Sequence, residues 1–575
     1  MAGIYGVFLK VKNVEKFYNY FYDQQLSKNE ISVNGGVVGR SVLEKLHKHR
    51  FIQQRGDVII CFEGINLTDD IKSKDSFFSA YKEEGISFIK RLKGTFSGFV
   101  YDETEGKVFV FNDHLSTKNI FYYYDKEIGF VFSSELRAVS KLFQKEKIQY
   151  SVDRDAVYMM ALYGFLLEDH TYINEVKKLP FSSLLTYDIK SGSLKIDKLK
   201  NYSTAKMAIS HSDAIHGINE FMEKSVLRNW TTDIENGSKK HLSLLSGGMD
   251  ARTNIIVAKK LGFDNITSIT FGQSDSKDVK YAQKIAIGEN LNHFQRQLDN
   301  PDYLIDDISK NYILPNDGLM MYHSSAHTSS TVKSFNVSNY ATLHTGQIGD
   351  LLFGSFTKEG YNFKQKRGSI GYTGFISDDS LLDKIESLPH ILAKYQERGM
   401  ELYTYEQRVI NATLVGDRSL NNIIDNNSPF FDSEFVDFCI SLPSEYKSNQ
   451  MIYFEWLKKY HPSALKYPWD KIEMRPNSKF KIIYGKKLKK YVNGGKKYFN
   501  LKYESMNPYG QWIKNFPVIM ETFDHIAKTE INANYIDNEL KEDLLNIYEN
   551  NIFEYRNKFA VVTALLSLKL HFQEN

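Results

Sequence analysis

The chain has 575 residues, with 73 Lys+Arg against 70 Asp+Glu and a formal net charge of +3. That length favours two or more domains, at roughly 100–200 residues each. With 42% hydrophobic and 25% charged residues, the composition suits buried cores and excludes general disorder. The near-neutral balance supplies no global attraction to nucleic acid or to an acidic membrane. Two cysteines, Cys61 and Cys439, cannot build a disulfide framework or a cysteine zinc site. Such sparse use predicts a reducing, cytoplasmic setting. The opening MAGIYGVFLKVKN lacks a basic stretch running into a long apolar one, so no signal peptide is expected. The longest apolar stretch, 156–167, is about half of the ~20 residues that a bilayer crossing takes.

In chain order, the first third alternates short apolar runs with turn residues. GIYGVFLKV, DVIICFEGI, GTFSGFVYDETEGKVFVFND and NIFYYYDKEIGFVFSS read as strands, with Gly106 marking a hairpin. Helical periodicity is expected over 77–92 and 154–167. Strands with a few helices predict an α+β sandwich over residues 1–197. A linker at 195–210 leads into a different pattern. Residues 211–229 read as a helix, HLSLL as a buried strand, DARTNIIVAKKLG as a helix, NITSITF as a strand and 277–291 as a helix. That order predicts a parallel, doubly wound α/β sheet in a unit spanning 210–575. From about 379 the chain reads as mostly helical to 570, and no internal repeat is evident.

The most informative stretch is LSLLSGGMDARTNIIVAKKLG. A buried strand runs into Ser246-Gly247-Gly248, whose backbone N–H groups can approach an anion closely because glycine has no Cβ. The next helix points its positive dipole end at the same place, and Asp250 at its start suits Mg²⁺ against bound phosphates. Taken alone, SGG is more often an ordinary strand–turn–helix. Two further junctions change that balance. SITFGQ ends in Phe271-Gly272 at the carboxyl end of a strand, where ligands collect in parallel sheets. LHTGQIGDLLFGS repeats the apolar–Gly–acid–helix pattern with Gly346, Gly349 and Asp350. Asp250 and Asp350 at neighbouring strand ends would grip Mg²⁺ and pyrophosphate together.

SGGMD, then TFGQSDSKDVKYAQKIA, then TGQIGDLLFG resemble the ATP-pyrophosphatase synthetase domain of asparagine synthetases and their relatives. NDHLSTKNIFYYY and FVFSSELRAV resemble the second half of the family's glutaminase-type, Ntn-hydrolase-like domain. NNSPFFDSEFVDFCISLP resembles its RVPFLD-type segment, and YPWDKIEMRP its lysine-bearing loop. The resemblance covers nearly the whole chain, and the order of motifs makes it specific. It implies activation of a carboxylate at the ATP α-phosphate, giving an acyl-adenylate, pyrophosphate and, after amine attack, AMP. Leu245, Phe271, Thr345 and Gly346 then fall where the family contacts the nucleoside. Ser246, Gly247 and Gly248 fall on its pyrophosphate loop, and Asp250 and Asp350 on its magnesium carboxylates. Lys471 is the counterpart of the lysine that stabilises charge in adenylation, a role a preorganised cation can fill; Lys479 is the fallback. ATP and Mg²⁺ are the implied cofactors. Gln347 stands where asparagine-forming members often have Glu, Ala251 replaces the second Ser of SGGxDS, and Leu351 replaces a Glu. These departures bear on substrate specificity more than on nucleotide chemistry.

Glutamine-using members carry at residue 2 a Cys whose thiolate attacks the amide and whose α-amino group is the base. Here residue 2 is Ala, which has no nucleophile. The family's RGxD segment is not recognisable, and Phe62-Glu63-Gly64 stands where it has the glutamine-holding NGE. Arg40 alone lies where the family has a pocket arginine, and Arg55-Gly56-Asp57 reads as a hairpin turn. The sequence therefore predicts an ATP-dependent carboxylate–amine ligase without its own glutaminase activity. Its amine would come from free ammonia, a separate glutaminase or the substrate itself. The last option resembles β-lactam synthetases and lasso-peptide macrolactam synthetases, which also lack the cysteine. The alternatives are an ammonia-dependent asparagine synthetase and a catalytically silent interaction protein.

Three other signals weigh less. The basic, aromatic-bearing run 479–499 suits nucleic acid, but charge runs on helices are usually solvated faces, and a glutaminase-like domain is foreign to transfer-RNA modifying enzymes. His323, His327 and His344 lack the spacing of a complete metal site and read as packing or substrate-pocket residues, as does Tyr322. NKFAVVTALLSLKLHF has apolar residues at helical spacing and reads as core, not as a membrane contact.

Overall fold

The computed structural model describes residues 3–10, 14, 16–357, 360–373, 379–498, 506–549 and 554–573. Period-two alternation of apolar residues builds two six-stranded antiparallel sheets from the first 198 residues. The first runs β10 (Val176–Lys178), β8 (Phe121–Asp125), β9 (Gly129–Ser133), β1 (Gly3–Leu9), β3 (Gly36–Val42) and β2 (Ser27–Val33). The second runs β12 (Ser193–Lys198), β11 (Ser183–Asp188), β7 (Lys107–Asn112), β6 (Gly94–Asp102), β5 (Val58–Asn66) and β4 (Phe51–Arg55). Ile4, Phe8 and Phe130 of one sheet meet Cys61, Phe99 and Val110 of the other to form the layer between them.

Helix α1 (Lys74–Glu84) covers the outer face of the second sheet, with Phe77 against Phe51 and Phe62. Helices α2 (Leu136–Glu146) and α3 (Arg154–Tyr163) share a core with Tyr5, Tyr123 and Val131 of the first sheet. Two of the expected helices end earlier than their apolar periodicity. Gly85 takes φ +58 after α1, and the chain tightens into a 3₁₀ segment, Gly85–Arg91. Gly164 at φ +80 closes α3 with a left-handed C-cap. The Gly106 turn, at φ +68, joins β6 to β7, and Gly56 sits in the β4–β5 hairpin.

After 199–210, which holds no regular element, α4 (His211–Glu235) leads into a parallel sheet. Its order is β15 (Asn292–Gln297), β14 (Ile266–Gly272), β13 (His241–Leu244), β16 (Thr342–His344) and β17 (Asp425–Asn427). Every neighbouring pair in it is parallel, so all five strands release their loops on one edge. Helix α5 (Asp250–Lys260) follows β13, and α6 (Lys277–Gly288) follows β14. Among the described residues beyond 379 the named elements are helices apart from β17, which is too short and too polar (Asp-Asn-Asn) to show as a strand in sequence. No helix among the described residues is long and apolar enough to cross a membrane.

A buried ionic network joins the antiparallel sheets to the parallel one. Asp425, at the start of β17, accepts from both Arg50 and Lys118, and Arg50 Nε lies 3.1 Å from Glu63 Oε1. All four side chains are buried. Burial would raise the Asp425 carboxyl, yet the two cations hold it down at about 2. Loss of one partner from such a cluster strands an uncompensated charge, which costs about 3–5 kcal/mol.

Candidate functional site

The carboxyl ends of β13 and β16 lie side by side, and their loops interlock. Leu244 ends β13, and the chain turns through Ser246-Gly247-Gly248 into α5, whose first residue is Asp250. β16 ends at His344, and Thr345-Gly346-Gln347 turn into the short helix α7 (Gly349–Leu352), which carries Asp350. Two glycines make this approach feasible. A Cβ on Gly346 would stand 2.2 Å from the Ala251 nitrogen, and one on Gly349 would stand 2.7 Å from Asp250 Cγ.

Asp250 and Asp350 thereby meet across 100 residues of sequence. The Asp350 N–H donates to Asp250 Oδ2 at 3.0 Å, and the Tyr453 hydroxyl donates to Asp250 Oδ1 at 2.9 Å. Burial, with Asp350 adding to it, pushes the Asp250 carboxyl up to about 7. Lys471 Nζ lies 3.2 Å from Asp350 Oδ2, which also accepts from Ser355 Oγ at 2.8 Å. Burial works against the Lys471 charge, but Asp350 and Asp250 hold its ammonium above the ordinary range. Two crowded carboxylates sharing one cation are a donor set with capacity left for a hard divalent ion.

Arg252, which the sequence reading passed over, holds this arrangement together. Its buried guanidinium donates to the carbonyls of Gly247, Ala464, Tyr467 and Pro468 at 2.7–3.2 Å. The Asp470 N–H also donates to the Gly247 carbonyl, at 3.2 Å. The Ser-Gly-Gly loop and the loop bearing Lys471 are thus one unit. Asp278, also unforeseen, accepts from the Gly247 N–H at 2.5 Å. Its carboxyl is pushed up to about 6 by burial and by Asp470.

The basic run lies on the helix Lys479–Tyr498. Lys489 and Lys486 turn onto the same loop: Lys489 lies 3.2 Å from Glu473, and Lys486 sits over Trp469. Lys479 begins that helix on its exposed side. Leu245 is core-packed, with its N–H and carbonyl both engaged by β14 residues. Thr345 is buried and bonded through its backbone to Asn427 and Asn254. Phe271 stands at the end of β14, with His327 at 5.1 Å between ring centroids.

On the far side of Gln347 lies a chamber of about 270 Å³, lined in part by Ser324, Ser325, His327, Gln347 and Asp417. It contains no lysine or arginine. Gln347 Nε2 donates to Asp417 Oδ1 at 2.6 Å, while Gln347 Oε1 and Asp417 Oδ2 are buried and make no close hydrogen bond, the Asn426 amide acting on Asp417 from farther off. Burial pushes the Asp417 carboxyl up to about 7 despite the amides of Gln347 and Asn426. Burial also pushes His327 down to about 4, so its ring is neutral. Such orphaned acceptors are costly unless a donor ligand meets them.

The other histidines lie elsewhere. His323 stacks on Phe559 in the core, and Tyr322 is a fully buried core tyrosine donating to the Leu304 carbonyl. His344 joins His241 on the carboxylate of Asp233, at 2.8 and 2.7 Å. These three are the one group among the described residues spaced like metal ligands. Direct hydrogen bonds between the ligand atoms and stacking of Trp230 on His344 account for it as a buried polar cluster.

Residue 2, where Ala stands, lies outside the described residues. Among the described residues of that domain, Glu63 is committed to Arg50, and Arg40 donates to Asn29 at 3.3 Å. Cys61 and Cys439 are both fully buried, and burial drives their thiols upward. Neither has the depressed pKa of a nucleophilic cysteine.

The family model of a glutamine amidotransferase domain matches residues 74–202. The glutamine-hydrolyzing asparagine synthetase 2 of Bacillus subtilis is 24% identical over 289 residues, 48% of this chain and 35% of that protein. A protein of Methanocaldococcus jannaschii, provisionally named a glutamine-hydrolyzing asparagine synthetase, is 20% identical over 64% of this chain and 59% of its own length. The chain thus spans less than two thirds of the curated relatives it matches. Among solved structures, a glutamine phosphoribosylpyrophosphate amidotransferase from B. subtilis aligns with 45% of this chain and 51% of its own. It has 11% identity and a TM-score of 0.20. An NH3-dependent NAD synthetase from Campylobacter jejuni aligns with 37% of this chain and 95% of its own, with 14% identity and a TM-score of 0.18. The chain is similar to asparagine synthetases in sequence, and its fold is read from its own three sheets.

Proposed function

We propose that the chain is an ATP-dependent carboxylate–amine ligase that works through an acyl-adenylate and has no glutaminase activity of its own. The observation that carries this reading is the convergence of four features on one sheet edge. These are the Ser246–Gly248 loop, the Asp250–Asp350 pair, Lys471, and the acceptor-lined chamber beyond Gln347. Backbone N–H groups at the loop and the start of α5 suit the ATP β- and γ-phosphates. Asp250 and Asp350 would hold Mg²⁺, which supplies charge neutralisation on the phosphates when bound.

In the first step a carboxylate oxygen of the substrate attacks the α-phosphorus, the bond to the bridging oxygen breaks, and pyrophosphate leaves. Lys471, held beside Asp350, would stabilise the charge that builds on the phosphoryl oxygens without reorganisation. In the second step an amine attacks the acyl carbon, AMP leaves with the electron pair of the acyl–oxygen bond, and the nitrogen sheds a proton. The chamber suits that amine: Gln347 Oε1 and Asp417 Oδ2 are buried acceptors with room for a close donor, and an amine brings N–H donors. Asp417, held near neutral pH, is placed to take the proton. The chamber is far larger than ammonia, which favours an organic amine. Commitment of Glu63 to Arg50 and the burial of both cysteines support the absence of glutaminase chemistry.

The test is carboxylate-dependent exchange of labelled pyrophosphate into ATP across aspartate, uronic acids and short peptides, beside Asp250→Ala. Exchange with one carboxylate class, abolished in the variant, supports the reading. Turnover to ADP and phosphate refutes it. Silence with every carboxylate, with ammonia and diverse amines added, moves the chain to a non-catalytic interaction role.

A further inference from the structure

A second cavity, of about 520 Å³, lies where the end of the antiparallel sandwich meets α8 (Leu388–Tyr403) and the π-helical segment Thr404–Thr413. It shares no lining residue with the nucleotide loops or the chamber at Gln347. Four cations face it: Lys178, Lys198, Lys394 and Arg398. Two are neutralised locally, Lys394 by Glu168 at 3.0 Å and Arg398 by Glu406. The other two are not. Lys178 is 6% exposed, and its ammonium donates only to the Asn411 side-chain oxygen. Lys198 donates only to the Phe181 carbonyl and lies over that ring. Neither forms an ion pair. Asp169 and Glu168 ease Lys178, and Glu406 and Glu168 ease Lys198, from beyond contact distance, while Arg418 opposes the charge on Lys178, and Lys394 and Arg398 that on Lys198.

A buried ammonium with one neutral acceptor, as at Lys178, is a costly arrangement, and the half-buried ammonium of Lys198 faces the same cavity. We propose that this cavity is a second ligand site that takes a small polyanion, a di- or tricarboxylate or a phosphate group, with Lys178 and Lys198 as its cationic anchors. Each ammonium has donors left over for such a ligand. Phe181, Ile391 and Tyr395 offer apolar wall for a carbon skeleton. Burial pushes both lysines down to about 7, so at neutral pH each is only partly charged. A bound polyanion restores the full charge, and the protein takes up protons as it binds.

The experiment is calorimetric titration of the full chain with citrate and, separately, inorganic phosphate at pH 7.5, in two buffers of different ionisation enthalpy. At least one probe should bind with proton uptake. Lys178→Met and Lys198→Gln should each weaken it by about tenfold or more, the loss of one charge-assisted hydrogen bond. Binding of phosphate at the nucleotide loops would survive both substitutions, and the lysine variants therefore separate the sites. Trace acetylation read by mass spectrometry covers the case in which Lys178→Met fails to fold. In the unmodified chain the bound probe should slow acetylation of both lysines. The proposal is overturned by no binding of either probe at millimolar concentration, by binding unchanged in the variants, or by labelling that the probes leave unaltered.

Discussion

Asp417→Asn is expected to make the protein more stable and less active at once. The Asp417 carboxyl ordinarily titrates at 3.8, and burial raises it to about 7. A carboxyl raised in the folded state carries no penalty below its unfolded midpoint, where both states are protonated. The penalty grows as pH rises from about 4 to about 7 and is complete above that. At about 1.4 kcal/mol per tenfold change in proton affinity, this shift corresponds to a ceiling of about 4 kcal/mol at pH 8. Asparagine keeps an oxygen for Gln347 Nε2 and cannot ionise, so it removes the penalty. Urea or thermal unfolding at pH 8 should show the variant above the unmodified chain, with the gap closing toward pH 4. In the same variant the amine loses its anionic acceptor and proton acceptor, so amide formation should fall by about 10²–10³-fold, while pyrophosphate exchange falls far less. Parallel stability curves across pH 4–8 would refute the placement of a strained carboxylate at 417. Equal losses of exchange and amide formation would refute its assignment to the amine.

Three further outcomes are expected. Lys471→Met should lower the adenylation rate by about 10²–10³-fold with ATP affinity little changed, because a preorganised cation acts mainly on the transition state; single-turnover kinetics separate the two. Gly346→Ala drives a methyl against the Ala251 backbone nitrogen and should abolish ATP binding by calorimetry, while Gly56→Ala, in an open hairpin turn, leaves it intact. Asp425→Asn strands Lys118 and leaves Arg50 only Glu63, and should cost about 3–5 kcal/mol in chemical denaturation. Because the Asp425 carboxyl is held at about 2, its contribution in the unmodified chain persists above pH 4 and fades as pH falls toward 2.

The parts of the site that a sequence exposes are the local ones. Ser246-Gly247-Gly248 between an apolar run and a helical one is a strand–loop–helix on its face, because strand burial, glycine permissiveness and helix start are all coded within about fifteen residues. The same holds for Thr345–Asp350. Arg252 gave no such signal: it reads as an ordinary surface position of an amphipathic helix, and its four carbonyl partners come from two separate loops. Asp278 and Asp417 are likewise single carboxylates among many, made distinctive only by what buries them.

The sequence by itself determined the two classes of sheet, through period-two alternation in the first third and apolar strands between amphipathic helices after 210. It also determined the chemistry available at each loop, since residue type and backbone permissiveness travel with the chain. Tertiary structure alone decided that Asp250 and Asp350 meet, that Glu63 spends its charge on Arg50, and that Lys178 and Lys198 face one cavity without a direct ion pair. Those facts depend on distance and dielectric between residues tens to hundreds of positions apart, and neither quantity is written in local order.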